Sequence, residues 1–113
     1  MNLIINPGPK EKDFVILLQG DLDLYATTEV NKALKNLLET GAKRILLDAT
    51  ELVYLDSSGV GVIIRLLQNA AGLSVPVGVV GLGGTPRKVL QLCNVISLLK
   101  LFESQVAAWA GLR

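Results

Sequence analysis

The distribution of apolar and polar residues predicts five strands and four helices. Runs of consecutive apolar residues are typical of strands that are buried on both faces, and they occur at residues 3–5, 13–19, 44–49, 75–80 and 97–102. Apolar residues spaced three or four apart indicate amphipathic helices at residues 25–39, 58–71 and 104–112, with a further helix that begins at Thr85.

The order of these elements predicts a single α/β domain over residues 1–113. A brief turn joins the first two strands, which favours an antiparallel hairpin. The later strand–helix–strand successions imply right-handed parallel crossovers. We therefore expect a mixed sheet, with an N-terminal hairpin and mainly parallel strands after it, packed against helices. Half of the 113 residues are hydrophobic, which suffices for one core without disulfides.

Local signals predict where several elements begin, end and face. Residues 20–24 are expected to break the second strand, and residues 50–56 to form a loop. Gly41 is expected to end the first helix in a left-handed conformation. Thr85 is the expected N-cap of the third helix, with Pro86 at its first position, and Cys93 is expected in the core. The expected core-facing residues of the second helix are Val60, Ile63, Ile64, Leu67 and Ala71.

The predicted topology brings three loops to one edge of the sheet, at residues 20–24, 50–59 and 81–86. In parallel α/β units, the loops that follow the carboxyl ends of the strands lie on the same side, where ligands and partners bind. These loops carry Asp21, Asp23, Asp56, Ser57 and Ser58. Asp48, at the end of its own strand, is a further candidate for this edge.

Composition excludes several classes of function. The chain has no histidine, so Ser-His-Asp and Cys-His catalysis and most zinc sites are excluded. A single cysteine excludes an internal disulfide and fits a reducing compartment. A net charge of +1, no basic run and few aromatic residues argue against nucleic-acid binding. We expect no enzyme, cofactor or metal.

Three further patterns have simple interpretations. Asp21-Leu22-Asp23 is similar to the Asp-x-Asp of haloacid-dehalogenase-type phosphatases, but no later acidic pair is placed to hold magnesium, and a turn is favoured. The glycines from Gly78 to Gly84 precede a helix, yet the Lys-Ser/Thr of a phosphate loop is missing. Residues 66–86 carry no charge, but glycines and a proline divide them, so we expect no membrane span. Residues 1–6 lack a basic segment and a long apolar run, so we expect no signal peptide.

The segment Leu55-Asp56-Ser57-Ser58-Gly59-Val60-Gly61-Val62 carries the most specific chemistry. Serine is a favoured N-cap, so the two hydroxyls cap the helix or offer a site of modification. Gly61 either leaves a bare backbone patch for a partner or fits against a neighbouring element. Ser58, Gly61 and Arg65 follow a helical spacing on the side opposite the core.

Together with Gly20-Asp21-Leu22-Asp23, this segment resembles the anti-sigma-factor antagonists of bacteria, members of the STAS domain family. The resemblance extends over essentially the whole chain. It implies that Ser57 is the phosphoacceptor and that the loop of Asp21 and Asp23 engages the partner kinase. The implied partner-binding residues are Asp21, Asp23, Asp56, Ser58, Gly59, Gly61 and Arg65.

The implied function is a cytoplasmic switch protein that is monomeric alone. Unphosphorylated, it binds an anti-sigma factor with serine kinase activity and frees a sigma factor. Phosphorylation disables that binding, and a serine phosphatase restores it. The alternatives are a STAS accessory subunit of a transporter or signalling assembly that is never phosphorylated, and a small nucleotide-binding protein that uses the same loops.

Overall fold

The computed structural model describes residues 1–113, which form six strands and four α-helices. The strands are β1 (Asn2–Pro7), β2 (Asp13–Leu22), β3 (Arg44–Asp48), β4 (Leu52–Leu55), β5 (Val77–Val80) and β6 (Lys100–Phe102). The helices are α1 (Thr27–Glu39), α2 (Ser57–Gly72), α3 (Gly84–Leu92) and α4 (Gln105–Gly111), and a single 3₁₀ turn covers Ile96–Leu98.

The strands form one mixed sheet in the order β1-β2-β3-β5-β6, and β4 pairs with β2 outside this path. β1 is antiparallel to β2, with Ile5 opposite Ile16. Every other pair is parallel. The predicted class, an N-terminal hairpin followed by parallel strands with four helices, is confirmed.

β4 was not predicted from the sequence, and its presence corrects two expectations. Residues 50–56 are not all loop, and residues 20–24 do not break β2, which continues to Leu22. The register pairs Gly20 with Leu52 and Leu22 with Leu55, with an irregularity between Gly20 and Asp21. In β4 two exposed residues separate two buried leucines, so the alternation typical of a strand is absent and the pattern did not reveal it.

The two faces of the sheet are covered unequally. One face packs against α1, α2 and α3, and holds a cluster of 24 buried side chains that includes Ile16, Leu34 and Ile63. The other face is covered by the short helix α4, where Val15, Leu46, Val80 and Ala108 form a smaller cluster. The larger of the two cores therefore lies on the face that α1, α2 and α3 cover, and it supports the loops at the carboxyl ends of the strands.

Several predicted details of the helices were wrong. In α2 the predicted core residues Val60 and Ile63 are buried, and Ile64 and Leu67 are half-buried and pack against the core, but Ala71 is exposed. The other buried positions of α2, which were not predicted, are Gly59, Val62, Leu66 and Ala70. α3 begins at Gly84 with Gly83 as its N-cap, so Thr85 does not cap it and Pro86 lies in the first turn. Cys93 is exposed rather than part of the core. The positive φ of Gly41, 88°, is confirmed.

A partly buried ion pair fixes the amino-terminal ends of β2 and β3. Arg44 Nε donates to Asp13 Oδ1 at 2.9 Å, and Arg44 Nη1 donates to the backbone carbonyls of Trp109 and Leu112. The guanidinium lies 4.8 Å from the centre of the Trp109 ring. Hydrogen bonds from Arg44 lower the pKa of Asp13 below its ordinary value, so the carboxylate stays charged although it is buried. We call Asp13, Arg44 and Trp109 the Arg44 cluster.

Residues 66–86, the uncharged stretch, are divided as expected between the end of α2, strand β5 and the start of α3. None of the helices combines the length and the apolar character that crossing a membrane requires.

Candidate functional site at the start of the second helix

Asp56, and not either serine, is the N-cap of α2. Its backbone is extended, and Oδ1 accepts a hydrogen bond from the Gly59 amide at 3.0 Å. Ser57 and Ser58 are the first two residues of the helix. Ser57 is exposed and Ser58 is half-buried. The interpretation of these serines as caps is therefore wrong, because the aspartate before them satisfies the amide that a serine cap would bind.

The second carboxylate oxygen of Asp56 ties the loop after β2 to the start of α2. Oδ2 accepts from the Leu24 amide at 3.3 Å. In the same loop Asp23 Oδ1 accepts from the amides of Tyr25 and Ala26, each at 3.1 Å. Asp23 and Asp56 thus stabilise the backbone around the serines.

The pairing of β2 with β4 also brings Asp21 close to the start of α2. Asp21 lies opposite Tyr54 in the β2–β4 register, and its side chain is exposed. Asp21, Asp23, Asp56, Ser57 and Ser58 consequently meet at one edge, as the topology predicted. Asp48 does not join them, since its carboxylate accepts from the Thr50 amide and from Gln105 Nε2 on α4.

The two glycines of this helix have different roles. A Cβ on Gly59 would lie 2.2 Å from the Leu22 carbonyl oxygen and 2.5 Å from Leu55 Cδ1, so only glycine allows the helix to approach β2 and β4 this closely. A Cβ on Gly61 would meet no atom within 4 Å. Of the two interpretations of Gly61, the bare backbone patch is therefore supported and close packing is not. Arg65, one turn further along, is exposed and forms no ion pair.

Four large apolar side chains are exposed on the two segments that meet at Asp56, and sequence reasoning missed them. Leu24 is 64% exposed, Tyr25 93%, Val53 67% and Tyr54 44%. They lie in the loop after β2 and on β4, the two segments that converge on Asp56. The available signal was two pairs of adjacent large apolar residues outside any core periodicity, which mark an interaction site when they are exposed. We call these four residues, with Asp21, Ser57, Ser58, Gly61 and Arg65, the serine surface.

The loop at residues 81–86 packs beside the loop at residues 50–59 and adds no charged group to the site. Gly81 has φ of 72°, and a Cβ there would lie within 3 Å of the Thr50 backbone. The cleft between residues 49–53 and 81–86, of about 320 Å³, is lined by uncharged residues. No cluster of His, Cys, Asp or Glu could hold a metal ion. The arrangement thus offers exposed hydroxyls, an acidic margin and apolar side chains, which suit protein recognition.

The STAS domain family model matches residues 4–108. An anti-sigma-B factor antagonist of Staphylococcus aureus (strain NCTC 8325 / PS 47) is 28% identical over 68 residues, which are 60% of this chain and 63% of that protein. The match thus covers less than two thirds of that relative's length. A STAS-domain containing protein of Pseudomonas aeruginosa is 26% identical over 95 residues, covering 84% of this chain and 93% of the relative.

Solved structures share this fold at low sequence identity. An anti-sigma factor antagonist from Mycobacterium paratuberculosis has a TM-score of 0.83 at 15% identity, covering 99% of this chain and 95% of its own. The Bacillus cell fate determinant SpoIIAA in its phosphorylated form has a TM-score of 0.74 at 21% identity, covering 96% and 98%. A sulfate transporter family protein from Wolinella succinogenes has a TM-score of 0.77 at 13% identity, covering 89% and 84%.

Proposed function

The chain belongs to the STAS domain family, and on that premise we propose that it is an anti-sigma-factor antagonist controlled by phosphorylation of Ser57. Unphosphorylated, it binds an anti-sigma factor that is also a serine kinase, and so frees a sigma factor. Phosphorylation ends the binding, and a serine phosphatase restores it. The protein acts in the cytoplasm as a monomer that binds other proteins, without catalysis of its own or direct contact with nucleic acid.

The observation that carries this proposal is that the Ser57 side chain is exposed and does not cap α2. Ser57 is exposed, and because Asp56 caps α2, the helix does not depend on a hydrogen bond from the Ser57 hydroxyl. A kinase can therefore modify it without removing an interaction on which the fold depends. The S. aureus relative is named an anti-sigma-B factor antagonist, and the Bacillus protein with this fold has been solved in a phosphorylated form.

The surroundings of Ser57 give its phosphate a local effect. A phosphoserine adds about −1.5 to −2 charges at neutral pH. At the first residue of α2, the positive end of the helix dipole tolerates that charge, so the fold is retained. Beside Asp21, Asp23 and Asp56 the same charge makes the margin of the site strongly acidic. A partner that packs against neutral serines then loses contact through desolvation and like-charge repulsion.

The apolar side chains explain why the unphosphorylated form binds. Leu24, Tyr25, Val53 and Tyr54 offer a partner apolar area around Ser57, and Gly61 allows close approach to the helix backbone. Aromatic residues in such a position frequently dominate the binding energy. We assign Asp23 and Asp56 to holding this surface in shape, and Asp21, Ser58, Gly61 and Arg65 to direct contact with the kinase.

The test is incubation of the protein with ATP and the kinase-type anti-sigma factor of its source, followed by intact mass measurement. We expect one phosphoryl adduct in the native chain and in Ser58→Ala, and none in Ser57→Ala. An adduct that survives Ser57→Ala contradicts the assignment. Amide chemical shifts of the phosphorylated form should change only around the start of α2, and changes throughout the sheet would refute a local block.

The second candidate is an unphosphorylated STAS subunit of a transporter or a larger assembly, since the fold is shared with the Wolinella sulfate transporter family protein. In that case the serine surface is a permanent docking site. A complex with a permease component that is unchanged by Ser57→Glu would favour this function over the first.

A further inference from the structure

A polar groove runs along the seam where α1 and α2 pack against each other. It has a volume of about 320 Å³, and its lining comes entirely from these two helices. Its floor consists of Leu34, Leu38 and Leu66, which are buried in the core. Because the floor is already packed, the side chains along the two margins decide what the groove can bind.

The margins of this groove carry charges of one sign, and we call it the cationic groove. Lys32 and Lys35 of α1 and Arg65 of α2 line it, and no acidic residue does. All three side chains are exposed. Lys32 and Arg65 form no ion pair. Lys35 has one exposed contact of 4.0 Å, with Glu39 a turn further along α1. Since exposed pairs of this kind contribute little, the three cations are free to bind an anionic ligand.

The groove suits carboxylates spread along a polypeptide better than a single phosphate. Its walls are the middle turns of two helices, where the backbone amides bond within the helix. It therefore lacks the free N–H groups that bind phosphate at helix N-termini. Its donors are instead long side chains on both sides of the seam, and the amide groups of Asn31 and Asn69 lie among them. Lysine, arginine and asparagine side chains can all donate to carboxylates, and arginine does so with two parallel bonds.

The cationic groove adjoins the serine surface, because Arg65 belongs to both. Ser57 and Arg65 are eight positions apart on α2, which corresponds to about 12 Å along the helix axis. A protein interface of standard size buries about 800 Å² on each partner, which is a patch roughly 30 Å across. A protein that covers the serines therefore also reaches the groove.

We infer that the cationic groove binds an acidic segment of the same partner that covers the serine surface. The identity of that partner rests on the proposed function, whereas the chemistry of the segment rests on the charges of the groove. The serine surface has an acidic margin, formed by Asp21, Asp23 and Asp56, so the two parts of the contact area have opposite charge. This pattern selects a partner with a basic region opposite the aspartates and an acidic segment opposite the groove, and it fixes the orientation because the reverse places like charges together.

The first test probes the groove without the partner, by titrating hexaglutamate with blocked ends into the ¹⁵N-labelled protein at low salt. The amides of Lys32, Lys35 and Arg65 should shift saturably, and hexalysine should not shift them. Lys32→Glu should weaken hexaglutamate binding by roughly threefold to tenfold. Lys88→Glu makes the same change in net charge on an exposed residue outside the groove, and it should leave binding unaltered. Absence of saturable shifts, an equal loss in Lys88→Glu, or tighter binding of inorganic phosphate than of hexaglutamate would overturn the inference.

The second test measures association with the kinase-type anti-sigma factor at several salt concentrations. Lys32→Glu should lower the association rate constant by roughly threefold to tenfold at low salt and reduce its salt dependence, because charges at the margin of an interface act mainly on association. Lys32→Gln should have a smaller effect of the same sign, and Lys88→Glu none. Tyr25→Ala, on the serine surface, should instead raise the dissociation rate constant.

The two tests separate failure of this inference from failure of the proposed function. If the native chain binds the anti-sigma factor and Lys32→Glu associates at the native rate, the inference is wrong and the proposed function stands. If the native chain does not bind the anti-sigma factor, the proposed function is wrong, and hexaglutamate shifts would still support the groove as a site for an acidic segment. Self-association that Lys32→Glu abolishes would identify a second copy as the occupant and overturn the inference.

Discussion

Two aspartates at opposite ends of the sheet show that the same type of side chain can serve different purposes. Asp13, at the start of β2, is 2% exposed and paired with Arg44, which also binds the end of α4. Asp56, before α2, is half-buried and binds only backbone amides, those of Gly59 and Leu24. Asp13 and Arg44 together hold the starts of β2 and β3 against α4. Asp56 holds the loop after β2 against the start of α2, where the serines and the apolar side chains remain accessible to a partner.

This difference separates stability from recognition. Charged groups removed from water are retained only when they are paired, and breaking such a pair is costly. Exposed residues without structural partners can be changed with little effect on folding. The Arg44 cluster should therefore govern the free energy of unfolding, and the serine surface should govern partner binding.

The largest expected effect follows from Arg44→Met. It leaves the Asp13 carboxylate buried without its partner, and we expect a loss of about 3–5 kcal/mol in the free energy of unfolding, measured by urea denaturation. Ser57→Ala, as the matched change on the serine surface, should stay within about 0.5 kcal/mol of the native chain. Equal losses in the two variants would remove the distinction between the two ends.

A smaller effect at the same end is a dependence on pH. Arg44 lowers the pKa of Asp13 in the folded protein. The contribution of the Asp13 carboxylate to the free energy of unfolding is therefore fully present above the pKa that Asp13 has in the unfolded chain, and it is lost as the pH falls through the pKa of the folded state. The difference in unfolding free energy between the native chain and Asp13→Asn should be constant near neutral pH and shrink in acid. A difference that grows on acidification would contradict this sign.

At the end of the sheet that carries the serine surface, Gly59→Ala should be the most destabilising single change. Its Cβ would overlap the Leu22 carbonyl oxygen, and relief requires α2 to move away from β2, at a cost of about 1–3 kcal/mol. Thermal unfolding measures this loss. If the variant is as stable as the native chain, the close approach of α2 to β2 is not needed for the fold.

Asp56→Ala should have an intermediate effect that is local. Loss of the N-cap costs about 1 kcal/mol, and the Leu24 amide loses its acceptor as well. Hydrogen exchange of the Leu24 and Gly59 amides should accelerate, while exchange in β3 should change only by the global loss of stability. Unchanged exchange at Leu24 would show that Asp56 does not hold the loop.

A small stability effect of opposite sign is expected for Gly61→Ala. Because its Cβ meets nothing, the substitution should stabilise α2 by about 0.5–1 kcal/mol, yet it should weaken binding of the kinase partner by occupying the bare patch. Isothermal titration against the anti-sigma factor would measure the second effect. Tighter or equal binding would show that partners do not approach Gly61.

Strong local signals explain what could be predicted. The long apolar runs that became β2 and β3, the helical spacing of α1 and the turn at Gly41 gave the class of fold. Parallel topology then placed Asp21, Asp23, Asp56, Ser57 and Ser58 at one edge. What failed were positions that depend on other elements, namely β4, the inward face of α2 and the environment of Cys93.

The sequence by itself determined the mixed sheet, the edge at which the loops meet and the identity of the serine segment, because periodicity and turn chemistry are local properties of the chain. Only the tertiary structure decided that Asp56 rather than a serine caps α2, that Tyr25 and Tyr54 are exposed, and that Ala71 of the α2 stripe lies outside the core. A hydrogen bond from a residue 32 positions away, or the exposure of one side chain on a helix, depends on how distant segments pack, and no local pattern records it.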